Sequence, residues 1–241
     1  MKHLKFSLLA LTALFAATVT MAQTVDDILA KHTEAMGGAD KISQVNSVYI
    51  ESTIQAMGNE SPNTTTILNG KGYKTESEMM GSKMVQVYTD KGGWMINPMM
   101  GASSPTPMDA DMYKAGEDQV YAGGSLIDYA AKGGKAELLG QEKVGSVNAW
   151  KIKLTNKDDI ETAYYIDPTT YYIIQIVKQV SMMGQSMDLT VTPSDYRKTD
   201  AGLVIAYTTG IDYGGQFSMT STVKKVEINK TIDPAIFEMP K

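Results

Sequence analysis

From Val45 onward the chain runs in short stretches of alternating apolar and polar residues, broken by Gly, Asn, Pro and Asp. A period of two puts successive side chains on opposite faces, so each stretch predicts a half-buried strand. The first set falls at Val45 to Met57, Thr64 to Asn69, Gly72 to Met80, Met84 to Thr89 and Gly93 to Ile96. The second falls at Ala136 to Glu142, Val147 to Thr155, Ile160 to Ile166, Ile173 to Met182, Ser186 to Tyr196, Leu203 to Thr209 and Gln216 to Ile228. Ahead of them the period changes: Val25, Ile28, Leu29, His32 and Met36 recur at helical spacing, with Thr24 and Asp27 placed as a capping box and Gly37-Gly38 as the stop.

Between the two sets lies Pro98 to Gly134, which predicts a helix near Val120 to Ala131 and suits a lid over a site. A solvent loop with one packing helix is the alternative. No linker divides the chain, so residues 23–241 read as a single domain. The predicted fold is mainly β with a few helices. About a dozen strands form one strongly curved antiparallel sheet, an unclosed half β-barrel covered by helices, because strand twist accumulates with strand number. The hollow between sheet and helices is the place for a ligand.

Methionine changes this picture. There are 17, with no cysteine, and the frame MMGxxM occurs at Met79 to Met84 and again at Met182 to Met187. A two-residue Gly-x loop places Met182 opposite Met187 and Met79 opposite Met84. In the later hairpin Ile174, Ile176, Val180 and Met182 alternate to one side and Met187, Leu189 and Val191 join them, giving an oily face. A third Met-Met-Gly, at Met99 to Gly101, follows Trp94 and Ile96 beside the insert. Methionine is an adaptable filler of irregular apolar surfaces, which favours a lining or packing role. Thioethers also select copper(I), but each hairpin offers only a pair of them without His or Cys in support.

Composition narrows the function. Lys2 and Lys5 precede an apolar run from Leu8 to Ala17 and the small-residue stretch TVTMAQ, which reads as a signal peptide cleaved after Ala22 and implies export to the periplasm. Net charge is −5, so nucleic acid is not an expected partner. Beyond the leader His32 is the only histidine, and with no cysteine the common zinc sites are excluded. It lies on the apolar stripe of the first helix, a packing position rather than that of a base. No GxSxG, P-loop or dinucleotide fingerprint occurs, and the carboxylates form no recognisable catalytic pair. The sequence therefore predicts no catalytic residue, no metal and no cofactor.

Several segments resemble one known group. The opening ILAKHTEAMGGADKISQVNSV, the stretch AYYIDPTTYYIIQI, the turn PSDYRKTDAGLVIAY and the ending VEINKTIDPAIFEMP are similar to segments of the LolA-like outer-membrane lipoprotein-sorting family (LolA, LolB and LppX types) as found in Bacteroidetes. The resemblance implies an unclosed barrel with helices across its mouth and an apolar cavity for acyl chains of lipids or lipoproteins. It also implies donor and acceptor envelope proteins and transient membrane-surface contact. On this reading Trp94, Ile96, Met99, Met182, Met187 and Leu189 line the lipid site. A non-enzymatic scaffold with a filled interior and copper binding through the Met pairs are the competing expectations.

Overall fold

The computed structural model describes residues 23–240 apart from 80, 183 and 184; the side chains of 79, 181, 182 and 185, and the predicted leader at 1–22, lie outside the description. Two helices open it, α1 (Val25–Ala35) and α2 (Ala39–Ser43). Thr24 and Asp27 form the expected capping box, each side chain accepting the other's backbone N–H at 3.1 Å. Gly37 leaves α1 with φ at +123°, and a Cβ there would lie 2.9 Å from the Gly202 carbonyl oxygen, so conformation and space both demand glycine. Next to it the Met36 carbonyl accepts the Val204 N–H at 2.9 Å and joins the helix end to the sheet.

The strands form a 13-stranded antiparallel sheet. They are β1 (Ser47–Ala56), β2 (Asn59–Leu68), β3 (Gly72–Met79), β4 (Ser82–Thr89), β5 (Gly92–Asn97), β6 (Ala102–Pro107), β7 (Lys135–Val144), β8 (Val147–Thr155), β9 (Glu161–Ile166), β10 (Ile173–Met182), β11 (Gln185–Lys198), β12 (Val204–Tyr213) and β13 (Phe217–Ile228). In space the order is β6-β5-β4-β3-β2-β1-β13-β12-β11-β10-β9-β8-β7. One limb is built from β1 to β6, the other from β7 to β13, and β13 pairs with β1 to join them. Strands β6 and β7 end the order, so the half-barrel is unclosed, as expected.

The insert differs from its prediction. Its helix is α3 (Ala110–Gly116), followed by a 3-10 turn at Glu117–Val120, while 122–133 are successive turns rather than a helix. Gly124 at φ +73° and Asp128 at φ +53° take the left-handed conformation there and interrupt any helical run. The insert also contains β6, whose Pro105 and Pro107 disguised it; on an edge strand a missing N–H costs little.

Cross-strand pairing assigns the two faces, because directly opposed residues share a side. On the helical face, Val48, Ile50, Val226 and Ile228 pack with Val45 and Leu203, and further round Ile152, Leu154, Tyr164 and Ile166 pack against Ile28, Leu29 and Leu126. On the outer face, Val85, Val87 and Trp94 are covered by Ile232, Ile236 and Phe237 of the C-terminal segment, which ends in a 3-10 turn at Pro234–Phe237.

Candidate functional site

The insert crosses the hollow and is tied to both limbs. On the first limb the Met108 N–H donates to the Gly93 carbonyl at 2.9 Å and the Tyr113 hydroxyl donates to the Thr89 carbonyl at 2.7 Å. Gly116 lies on the Tyr88 ring so closely that any Cβ would overlap it. On the second limb Lys178 of β10 donates to the Ala115 carbonyl at 3.1 Å, and Lys157 of the β8–β9 turn pairs with Glu117. Ala115 and Gly116 are neighbours, yet they touch β10 and β4, seven places apart in the sheet. A flat sheet would hold those strands roughly 34 Å apart at its usual spacing. The curl of the sheet makes the bridge.

Beneath the bridge the helical face carries a band of tyrosines. Tyr73 and Tyr88 have ring centroids 6.1 Å apart, and Tyr88 and Tyr113 6.3 Å. Burial pushes the Tyr73 phenol up to about 12, and Tyr213 from the opposite limb adds to it. Beside them is a small buried polar knot: the Asn63 side-chain amide donates to Ser52 Oγ at 3.0 Å, and its oxygen accepts from the Thr75 hydroxyl at 2.9 Å. Beyond the bridge, at the end of the sheet away from α1, Ile54, Met84, Met95, Ile211 and Met219 are half-buried on the same face. A cavity of about 140 Å³ lies there between Ile54, Ala56, Met57, Asn59, Ser61 and Ser77.

Four of the six hairpin connections at this end share a composition in the sequence. Those after β1, β3 and β10 are Met57-Gly58, Met80-Gly81 and Met183-Gly184, and the one after β5 carries Met99, Met100 and Gly101. Met57, Met99 and Met100 are exposed. The β1–β2 and β5–β6 turns therefore present methionine at the rim, while the β8–β9 and β12–β13 turns at the same end carry none.

The predicted lining residues separate. Met187 and Leu189 are half-buried on the helical face, opposite Val180 and Lys178. Trp94 and Ile96 are on the outer face, contrary to expectation: Trp94 pairs with Val87, packs on Phe237 and donates its indole N–H to the Phe237 carbonyl at 2.8 Å. Met99 is in the 3-10 turn Pro98–Met100 at 57% exposure. Met182 shares the helical face by register, and its side chain lies outside the described residues.

The hairpin register also corrects the predicted Met pairs. Met182 stands opposite Gln185 and Met187 opposite Val180; Met79 stands opposite Ser82 and Met84 opposite Ser77. Glycine takes the second loop position rather than the first. The β1–β2 turn shows why: Met57 at φ +50° and Gly58 at φ +77° make the doubly left-handed turn whose second residue favours glycine. The directly opposed Met pairs, on which the copper reading depended, are thus not the register of either hairpin. Among the described residues no group of three or more His, Asp or Glu side chains is arranged to hold a metal.

Sequence reading passed over Lys178, Tyr88 and Gly116. Lys178 left a signal, since it falls in phase with Ile176 and Val180 on an otherwise apolar face. Tyr88 and Gly116 left none, because their meeting depends on the curl.

Among the described residues no helix is long and apolar enough to cross a membrane. No family model matches the sequence, and neither does any curated protein. Solved structures do match. A LolA-superfamily protein from Nitrosomonas europaea aligns with TM-score 0.59 at 11% identity, over 89% of this chain and 97% of that one. A DUF1329 family protein from Desulfovibrio piger aligns with TM-score 0.57 at 12% identity, over 90% and 98%. A Vibrio parahaemolyticus protein described as an outer membrane lipoprotein-sorting domain aligns with TM-score 0.56 at 11% identity, over 87% and 95%. Identities this low speak for architecture alone, and the architecture of this chain is the LolA-like fold.

Proposed function

We propose that the protein is an exported, periplasmic carrier that holds acyl chains of lipids or lipoproteins in the trough between the crossing insert and the sheet, and catalyses no reaction. The observation that carries this reading is the half-buried apolar stretch of the helical face beyond the insert, where Ile54, Leu189, Met187 and Ile211 belong to none of the described core clusters. Each acyl methylene withdrawn from water contributes about 0.8 kcal/mol, so a 16-carbon chain has roughly 12 kcal/mol to gain in an apolar trough. The LolA-like architecture supports the same reading. Donor and acceptor envelope proteins, with transient contact at a membrane surface, complete the proposal.

Native mass spectrometry and lipid extraction of protein purified from its own host test it, together with binding of a fluorescent fatty acid. Co-purifying lipid and weakened binding in Leu189→Asp are expected, with Trp94→Phe unaffected. Absence of both bound lipid and fatty-acid binding would overturn it.

A scaffold is the second reading. It is favoured by the packing of Ile28, Leu29 and Leu126 over part of the helical face. That reading predicts no lipid and a bound protein that survives purification.

A further inference from the structure

Lys178 is out of place for a packing residue. It stands opposite Leu189 on the helical face, with the Ile176–Val191 and Val180–Met187 pairs on either side. Its surroundings are apolar enough that burial lowers its pKa from the ordinary lysine value. Other lysines on this sheet, such as Lys74, Lys151, Lys153 and Lys225, reach carboxylates. Lys132, the other lysine whose pKa is lowered by burial, is half-buried, gives hydrogen bonds to the Gly124 and Ile127 carbonyls and lies over the Tyr121 ring. Lys178 has a single hydrogen bond among the described residues, to the Ala115 carbonyl at 3.1 Å. An ammonium has three donors, so two remain for a ligand. Asp118 is near enough to act on its charge without forming a salt bridge to it.

We infer that Lys178 receives the anionic head group, carboxylate or phosphate, of a single-chain lipid whose hydrocarbon lies over Val180, Met187 and Leu189. This rests on the acyl-carrier reading and narrows it. A charge kept in apolar surroundings with open donors costs free energy that a bound anion offsets, and charge-assisted hydrogen bonds are the strong ones. A lipoprotein, whose head stays outside, would leave the lysine unused.

Displacement of an uncharged fluorescent naphthylamine from the full-length mature protein tests the inference, with palmitate, palmitoyl lysophosphatidate and neutral monopalmitoylglycerol as competitors. At least one anionic lipid should bind about tenfold more tightly than monopalmitoylglycerol, equivalent to ~1.4 kcal/mol. Lys178→Met, of similar reach, should bring that ratio close to one, and Asp118→Asn should raise it. Preference for palmitate alone identifies a carboxylate, and for lysophosphatidate alone a phosphate. Equal affinities in the native protein, or a ratio indifferent to both substitutions, would overturn the inference and leave the carrier reading standing. Failure of all three competitors would remove both.

Discussion

The Trp94 indole and the Phe237 carbonyl meet at 2.8 Å, 143 residues apart in sequence, and fasten the end of the chain to the outer face of the sheet. Phe237 sits on Gly72, whose Cβ would lie 2.7 Å from the ring, so the strand is bare at the point where the ring lands. The C-terminal segment is therefore part of the core of the first limb and stands on the side of the sheet away from the trough.

Phe237→Ala should destabilise the protein by about 3–5 kcal/mol, the usual cost of emptying a phenylalanine site. Trp94→Phe should cost about 0.5–1.5 kcal/mol for the lost hydrogen bond. Urea unfolding measures both. Acyl binding by the folded Trp94→Phe protein should be unchanged, since neither residue faces the hollow.

The seat of the insert is testable at Gly116. Its backbone is ordinary, with φ at −129°, so the demand for glycine is steric and comes from Tyr88. Gly116→Ala should cost about 1–3 kcal/mol by overpacking. Hydrogen exchange should show the loss concentrated in residues 108–134, and Tyr88→Leu in the same chain should restore much of the protection. Uniform loss across all strands would refute a locally seated bridge.

His32 supplies a pH dependence. Its ring is 3% exposed and Nδ1 bonds the Tyr171 carbonyl at 2.8 Å. Burial holds its pKa below the ordinary 6.5. The unfolded chain then binds more protons than the folded one once pH falls below that value, so the stability of the neutral ring is present above pH 6.5 and is lost on acidification through the lower folded value. Thermal midpoints should fall between pH 7.5 and 5.5, and His32→Gln should flatten that part of the curve. A parallel fall in the variant would assign the effect to other groups.

Much of the fold was legible in the sequence because its determinants are local. Period-two alternation marked most strands to within a few residues, and Thr24, Asp27 and Gly37 bounded α1 through hydrogen bonds and a dihedral that involve only near neighbours. Local signals failed where two of them conflicted: prolines hid β6, and Gly124 with Asp128, both left-handed, unmade the helix expected near Val120.

Alternation yields two faces but does not say which one the helices cover. Trp94 and Ile96 look like cavity residues by composition, yet the distant C-terminal segment claimed their face and buried them there. Met187 and Leu189 came to the helical face because the register of β10 and β11 put them opposite Val180 and Lys178. The sequence by itself determined the strands, the first helix and an oily hairpin. Only the curl of the sheet, which brings β4 and β10 to one short helix, decided that Lys178 and Tyr88 share a roof, because that contact depends on twist summed over the strands between them.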